Sequence, residues 1–267
     1  MASQSGTLYG IGVGPGDPDL ITVKAVKILR QVSTVFAAGS TKNGYSLARD
    51  IVKEYVGETQ IEKMSFPMTR DKKTLTEAWE GNARRALEVV EAGTDAAFVT
   101  LGDPLTYSTF SYLLRTVKRL APHIRIVTVP GITSYQAAAA MSNMPIAEGE
   151  ESVHLISGAK GGATLRKAID SSENIVMLKT YKHFDDIYQT LEDLGLLDHC
   201  VLFSRLGLDG ESVVQDLRSL KSKKMPYLSL LIVKRNGLVR AALGARAANL
   251  PARRVAPQSV YAENPRC

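Results

Sequence analysis

Apolar and polar residues follow one another along the chain in a repeating strand-then-helix order. The stretch TLYGIGV predicts a short buried strand, and LITVKAVKILRQV follows it with apolar residues three apart, as one face of a helix requires. Strands are predicted again at STVFAAG, QIEKMSF, DAAFVTLGD and HIRIVTVPG, with helices at SLARDIVKEYV, TLTEAWEGNARRALEVVEAG and YSTFSYLLRTVKRL. Continuous apolar runs such as AAFV are typical of strands buried on both faces. The first half therefore predicts an α/β fold.

The second half continues the alternation. Strands are predicted at ESVHLISG, NIVMLKTY, CVLFSRLG and PYLSLLIVKR, and helices at ATLRKAIDSS, FDDIYQTLEDLG and VVQDLRSLKS. We predict two αβα lobes, residues 1–122 and 123–237, followed by an Ala/Arg-rich tail at 238–267 that is disordered or an added extension. In such folds ligands bind at the carboxyl ends of strands and in the cleft between lobes.

Composition and charge narrow the function classes. The formal net charge is +6, but the segment from 238 onward holds five arginines against one glutamate and so supplies four of those charges. The remaining body has mixed signs and no basic stripe, which argues against a nucleic-acid partner. No apolar run approaches the ~20 residues of a membrane span, so no membrane partner is expected. No secretion signal opens the chain, and the two cysteines lack metal-site spacing, so a cytoplasmic location is predicted.

The stretch YGIGVGPGDPDLIT, residues 9–22, tests for a dinucleotide site. Its glycines fall at 10, 12, 14 and 16, so the third glycine of the Gly-x-Gly-x-x-Gly fingerprint is replaced by Pro15 or Asp17. The second strand, VFAAGS, ends without a carboxylate for a ribose, and no Gly-Lys-Ser/Thr closes the turn. Asp17 and Asp19 would also repel a pyrophosphate, and we predict that one of them caps the following helix. This turn is not built for phosphate.

Two later turns complete a pattern with the first. TLGDPLTYSTF, residues 100–110, repeats the Gly-Asp-Pro triplet after a buried strand, and TVPGITSYQAAAA, residues 128–140, ends a strand at Pro-Gly and opens a helix. In this order the three turns closely resemble the tetrapyrrole (corrin/porphyrin) methylases, which use S-adenosylmethionine. AAGSTKNGYSLARDIV and GDPLTYSTFSYL look like the branch that methylates C-20 of precorrin-2 or of its cobalt form in cobalamin synthesis. The resemblance implies a cofactor in the cleft between two lobes, and a homodimer.

The resemblance also implies which positions contact the cofactor, S-adenosylmethionine, and its product, S-adenosylhomocysteine. They are Gly14, Pro15, Leu101, Gly102, Asp103, Thr106, Ser108, Thr109, Thr133, Ser134, Leu178, Arg205, Leu206, Leu228 and Ser229. One departure is PLTY where the family pattern has PTLY, which leaves the role of Thr106 open.

Methyl transfer from a sulfonium needs no metal, but it requires aligned reactants and the removal of one proton. The candidates for accepting that proton or orienting the substrate are Asp103, Tyr107 and His154. Each has a plainer alternative: loop shaping for Asp103, packing for Tyr107 and a core position for His154. The tetrapyrrole substrate carries many carboxylates, so cations are expected to bind it. The candidates are Lys42, Arg49 and Lys179.

Two alternatives stay open. Methylases of uroporphyrinogen or of another corrin carbon share the three turns, and the sequence does not say whether the substrate carries cobalt. A nicotinamide-dependent oxidoreductase, from a different class, would need the glycine spacing and the ribose carboxylate that this sequence lacks.

Overall fold

The computed structural model describes residues 5–39, 46–57 and 59–237 of the chain. Contacts between Cα atoms divide these residues into two compact units. The first extends to Glu148 and also includes Leu206–Leu208, and the second comprises Gly149–Arg205 and the described residues from Asp209 onward. Each unit contains one five-stranded sheet. The predicted α/β class with two sheet-containing lobes is therefore confirmed.

The first unit is a parallel sheet with helices between its strands. Its strand order is β3-β2-β4-β1-β5, and every neighbouring pair is parallel. The elements, in chain order, are β1 (Leu8–Gly12), α1 (Val23–Leu29), β2 (Thr34–Gly39), α2 (Leu47–Val52), β3 (Gln60–Ser65), α3 (Lys72–Glu91), β4 (Ala96–Thr100), α4 (Phe110–Leu120), β5 (Ile126–Val129) and α5 (Ser134–Ser142).

Burial on both faces explains why the inner strands β2, β4 and β1 are largely apolar. One face packs Phe36 and Phe98 against Phe110 and the apolar side of α3. The other packs Ile11 and Val99 against α1 and α2. A parallel sheet is stable in this covered arrangement, and all of its strands end at the same edge. The segments that follow β3, β4, β1 and β5 therefore begin at one carboxyl edge.

The first unit ends later than the sequence predicted. β5 pairs with β1, with Leu8 opposite Ile126, and α5 follows β5 in the same unit. The predicted boundary after residue 122 therefore cuts off the fifth strand of the first sheet, and the structure places the boundary after Glu148. The pairing joins segments more than 100 residues apart, so local pattern could not show it. The predicted tail at 238–267 lies outside the described residues.

The second unit is a mixed sheet in the order β6-β7-β10-β8-β9. β6 and β7 are parallel, and the remaining pairs are antiparallel. The elements, in chain order, are β6 (Val153–Ser157), α6 (Ala163–Ala168), β7 (Asn174–Leu178), α7 (Phe184–Asp193), β8 (Cys200–Ser204), β9 (Ser212–Val214) and β10 (Ser229–Lys234).

One predicted helix of the second unit is wrong. Residues 213–222 read as a helix in the sequence, but Ser212–Val214 form β9, with Val214 opposite Leu202 of β8. Only a short 3-10 turn, Leu217–Leu220, follows, and the Asp216 side chain caps it by accepting from the backbone of Arg218. The β-branched Val213 and Val214 favour a strand once a partner strand is present, and this tertiary context overrides the helical spacing.

Of the helices in the described residues, none combines the length and apolar character that a membrane span requires.

A pH effect is predicted at the start of the second unit. The Ser152 hydroxyl donates a hydrogen bond to the Glu173 carboxylate at 2.6 Å, and the Ser152 backbone N–H donates another at 2.9 Å. These bonds, of which the hydroxyl's has the larger effect, lower the pKa of the Glu173 carboxyl from 4.5 to about 2. A lowered native pKa stabilises the fold above the unfolded value, and this stability is lost as pH falls from about 4.5 towards 2. We expect Glu173→Gln to lower the melting temperature at pH 7 and to have no such effect at pH 2, measured by melting curves of both proteins. An unchanged difference across that range would contradict the assignment.

Candidate functional site

Three loops stand side by side at the carboxyl edge of the first sheet. Loop 1, residues 13–22, follows β1; loop 2, residues 101–109, follows β4; and loop 3, residues 130–133, follows β5. Because β4, β1 and β5 are neighbours in the sheet, their loops leave adjacent strands in the same direction. The structure therefore brings together the three turns that the sequence singled out, although they are up to about 120 residues apart in the chain.

Loops 1 and 2 are joined by backbone hydrogen bonds. The Gly102 N–H donates to the Gly14 carbonyl at 2.7 Å, and the Val13 N–H donates to the Thr100 carbonyl at 3.0 Å. Gly14 and Gly102 form an isolated antiparallel bridge, with φ of +84° and +69°. Such left-handed backbone is adopted readily only by glycine. The alternating glycines of loop 1 thus serve a backbone pairing rather than a phosphate.

Glycine is also required where loop 3 meets the other two. A Cβ on Gly131 would lie 2.2 Å from the Gly102 carbonyl oxygen and 2.7 Å from the Cα of Gly12. A Cβ on Gly12 would lie 2.5 Å from that same oxygen. All of these neighbours are backbone atoms, so no side-chain rotation relieves the contact. The end of β1, loop 2 and loop 3 therefore approach one another at Gly12, Gly102 and Gly131 too closely to admit a side chain.

The Asp103 side chain connects loop 2 to loop 3. Its Oδ1 accepts from the Leu105 N–H at 2.9 Å and from the Thr106 hydroxyl at 3.3 Å, while its Oδ2 accepts from the Gly131 N–H at 3.2 Å. Both carboxylate oxygens are therefore engaged within the protein. This supports the loop-shaping alternative for Asp103, and it gives Thr106 a role in loop 2 that the sequence left open.

Other polar residues of the loops begin the helices that follow. Asp17 accepts from the Asp19 N–H and caps the short 3-10 turn Pro18–Leu20, whereas α1 itself is capped by Thr22. The prediction that Asp17 is a capping residue is thus confirmed for this turn, but it does not cap α1. At α5 the capping residue is Thr133, whose hydroxyl accepts from the backbone of Gln136 in a reciprocal capping box.

The remaining predicted positions of these loops differ in exposure. Gly14 and Pro15 are buried and Leu101 is half-buried; of the hydroxyl residues in the two later loops, Ser108, Thr109 and Ser134 are half-buried. Ser108 contacts the Thr100 hydroxyl at 3.0 Å and accepts from the Phe110 N–H, so it fixes the entry into α4.

The tip of loop 2 presents apolar side chains to solvent. Leu105 is 55% exposed and Tyr107 is 48% exposed. Tyr107 also has φ of +51°, a conformation that costs a non-glycine residue on the order of 1 kcal/mol or more. Backbone strain of this kind concentrates at binding and catalytic sites, so the observation keeps Tyr107 among the candidate site residues.

Several predicted positions of the second unit lie at one end of its sheet. Because β10 runs antiparallel to β7 and β8, its first residues lie beside their last ones: Leu230 is opposite Leu178, and Ser229 is opposite Ser204. The Arg205 N–H donates to the Leu228 carbonyl at 2.8 Å. The structure thus places Leu178, Arg205, Leu228 and Ser229 together.

This end of the second sheet also carries strained and unsatisfied groups. Lys179 and Arg205 have φ of +61° and +54°, and the fully buried Thr180 hydroxyl has no hydrogen-bond partner among the described residues. Leaving such a hydroxyl unpaired costs about 1–3 kcal/mol.

Leu206, the predicted position that follows Arg205, belongs to the first unit instead. Its carbonyl oxygen would lie 2.3 Å from a Cβ on Gly16.

Of the three other predicted residues, His154 and Arg49 belong neither to the three loops nor to this end of the second sheet, and Lys42 lies outside the described residues. His154 is the second residue of β6 and is level with Ile175, three residues before Leu178 on the neighbouring strand, so it lies about 10 Å from that end of the sheet. It is half-buried on an edge strand. Arg49 is an exposed residue in α2.

Comparison with known proteins gives matches over most of the chain. The sequence profile of the Tetrapyrrole (Corrin/Porphyrin) Methylases matches residues 7–221. The cobalt-precorrin-2 C(20)-methyltransferase of Salmonella typhimurium is 35% identical over 234 residues, which cover 87% of this chain and 98% of that protein. The precorrin-2 C(20)-methyltransferase of a Sinorhizobium species is 29% identical over 239 residues, 85% of this chain and 95% of that protein. Uroporphyrin-III C-methyltransferase from Thermus thermophilus, solved with S-adenosylhomocysteine, has a TM-score of 0.60 at 18% identity, covering 85% and 97% of the two chains.

Proposed function

This chain belongs to the tetrapyrrole (corrin/porphyrin) methylase family, and we propose that it transfers a methyl group from S-adenosylmethionine to C-20 of precorrin-2 or of its cobalt form. The family predicted from the three turns is thereby confirmed. The observation that carries the proposal is the joining of those turns at one sheet edge, in a chain similar to C-20 methyltransferases along almost their whole length. Methylation of another tetrapyrrole carbon is the weaker alternative. Two relatives, named cobalt-precorrin-2 C(20)-methyltransferase and probable cobalt-precorrin-2 C(20)-methyltransferase, match 87% and 85% of this chain at 35% and 36% identity, whereas C(11)-methyltransferases of cobalt-precorrin-4 and precorrin-4 match 50% and 56% of it.

The loop edge of the first unit fits S-adenosylmethionine better than a dinucleotide. A pyrophosphate needs several free backbone N–H groups and tolerates no nearby carboxylate. Here the N–H groups of Gly102 and Gly131 are already donating within the protein, and Asp103 lies beside them. S-adenosylmethionine has no phosphate, and its polar groups suit loop carbonyls and hydroxyls. The nicotinamide alternative is therefore not favoured.

The residues proposed to hold the cofactor are those of loops 1 to 3. When bound, S-adenosylmethionine supplies a methyl group on a sulfonium. The loops' part is to align that donor and to exclude water, because alignment provides most of the rate enhancement in such a transfer. The second-unit positions Leu178, Arg205, Leu228 and Ser229 remain proposed contacts, supported by their common location and by the strain beside them.

One proton must leave C-20 after the transfer. Asp103 is a poor acceptor because both of its oxygens already accept hydrogen bonds from the loops, so we assign it a positioning role. Tyr107, exposed at the tip of loop 2, and His154 remain the candidates for accepting the proton or orienting the substrate.

A homodimer and a cytoplasmic location also remain proposals. The free thiol of Cys200 is buried, which raises its pKa, and a free thiol suits a reducing compartment.

The proposal is tested by methylation of defined substrates. The protein is incubated anaerobically with S-adenosylmethionine carrying a ¹³C-methyl group and with precorrin-2, with or without cobalt. We expect one labelled methyl group in the product by mass spectrometry, located at C-20 by NMR. S-adenosylhomocysteine, but not NADH, should raise the melting temperature. A label at another carbon would reassign the substrate position, and stabilisation by NADH alone would contradict the family chemistry.

A further inference from the structure

The carboxyl edge of the first sheet also carries the segment that follows β3, whose chemistry differs from that of the three loops. The segment after β3, residues 66–71, leads directly into α3 and therefore stays at this edge. It presents Met68 and Arg70 to solvent, and Lys63 of β3 is exposed as well. Where the loops after β1, β4 and β5 meet through glycines, this part of the edge carries cations and a large apolar side chain.

The Lys63 side chain is directed towards the carboxyl edge. Lys63 is opposite Ala37 in the sheet, yet its Cε would lie 2.1 Å from a Cβ on Gly39, the last residue of β2. The Lys63 side chain therefore extends along β2 and fills the space that a side chain at position 39 would occupy. Among the described residues, neither Lys63 nor Arg70 forms an ion pair, and both residues are exposed.

The apolar side chains of the edge are unusually exposed. Met68 is 72% exposed, and Leu105 and Tyr107 of loop 2 are 55% and 48% exposed. β3 and β4 lie on either side of β2, so the segments that leave them begin about 10 Å apart. Exposed apolar patches rimmed by polar residues mark interaction sites and ligand-binding grooves. Flanked by Lys63 and Arg70, they suit a ligand that is both flat and anionic.

We infer that this cation-bearing apolar edge, formed by Lys63, Met68, Arg70, Leu105 and Tyr107, binds the polycarboxylate tetrapyrrole substrate. Lys63 and Arg70 pair with its carboxylates, and the three apolar side chains contact the face of the macrocycle. The inference rests on the proposed function and deepens it. It divides the edge between two ligands: loops 1 to 3 serve the cofactor, the β3–β2 side serves the substrate, and loop 2 serves both.

The test compares edge variants with a charge-matched control. Lys63→Gln, Arg70→Gln and Met68→Gln are titrated by absorbance with the cobalt form of precorrin-2 in the presence of S-adenosylhomocysteine. Arg30→Gln is the control, because Arg30 is exposed at the end of α1, the helix that returns to the opposite edge of the sheet. We expect each edge variant to bind the tetrapyrrole about threefold to tenfold more weakly, with a smaller salt dependence for the two charge variants. Affinity for S-adenosylhomocysteine, by calorimetry, should be unchanged.

The inference would be overturned if the edge variants bound the tetrapyrrole within about twofold of the affinity of Arg30→Gln. It would also be overturned if they lost S-adenosylhomocysteine affinity to the same extent, because such a loss would indicate general damage to the protein. The proposed function fails separately, when the unaltered protein does not methylate precorrin-2 at C-20. In that case the same variants are titrated with uroporphyrinogen III, another polycarboxylate tetrapyrrole, and an unchanged affinity there also overturns the inference.

Discussion

Gly131→Ala is expected to lower the affinity for S-adenosylhomocysteine at least about a hundredfold and to cost about 3 kcal/mol of the free energy of unfolding. The added Cβ would lie 2.2 Å from the Gly102 carbonyl oxygen and 2.7 Å from the Cα of Gly12. Because these are backbone atoms, the loops can accommodate it only by moving apart. Their separation would break the surface proposed to hold the cofactor. Urea unfolding and calorimetric titration measure the two effects.

The control for this substitution is Gly81→Ala. Gly81 lies inside α3, and a Cβ there would meet nothing within 4 Å. Alanine in a helix interior is favoured over glycine by roughly 0.5–1 kcal/mol, so this variant should be slightly more stable than the natural protein and should bind S-adenosylhomocysteine normally. Normal binding by Gly131→Ala as well would show that contact between the loops does not shape the cofactor site.

Asp103→Asn is expected to weaken S-adenosylhomocysteine binding about tenfold and to lower stability by about 1–2 kcal/mol. The amide keeps the size of the carboxylate but presents an NH2 group to one of its former donors. Asp103→Ala removes all three hydrogen bonds and should have the larger effect on both quantities. Asp19→Asn, at an exposed aspartate of loop 1, is the matched control.

The same variant separates a positioning role from a catalytic one. If Asp103 accepted the proton from C-20, Asp103→Asn would abolish turnover and alter its pH profile while S-adenosylhomocysteine bound with unchanged affinity. A positioning role predicts the opposite result. S-adenosylhomocysteine binding is weakened, and turnover at saturating cofactor keeps the pH profile of the natural protein. The pair of measurements therefore decides between the two alternatives that the sequence left open.

The sequence predicted every strand of both sheets except β9, and the helices α1 to α7, because their signals are local. AAFV is apolar throughout since β4 is covered on both faces. The long helix α3 ends at Glu91, and Gly93, two residues later, has the φ of +89° typical of a residue that terminates a helix. The prediction failed where a distant partner decides the outcome. β9 is a strand because β8 lies beside it, and the segment 123–148 belongs to the first unit because β5 pairs with β1.

For the functional site, the sequence by itself determined the family, the three glycine-bearing turns and the exclusion of a phosphate loop, since these depend on residue order and spacing alone. Only the tertiary structure decided what the turns do. It brings them into contact through Gly12, Gly102 and Gly131, and it engages both oxygens of Asp103 in holding them together. It also places Lys63 and Met68 at the same edge, although no motif includes them. Parallel strands carry residues that are far apart in sequence to one edge, and that convergence is invisible to a pattern read along the chain.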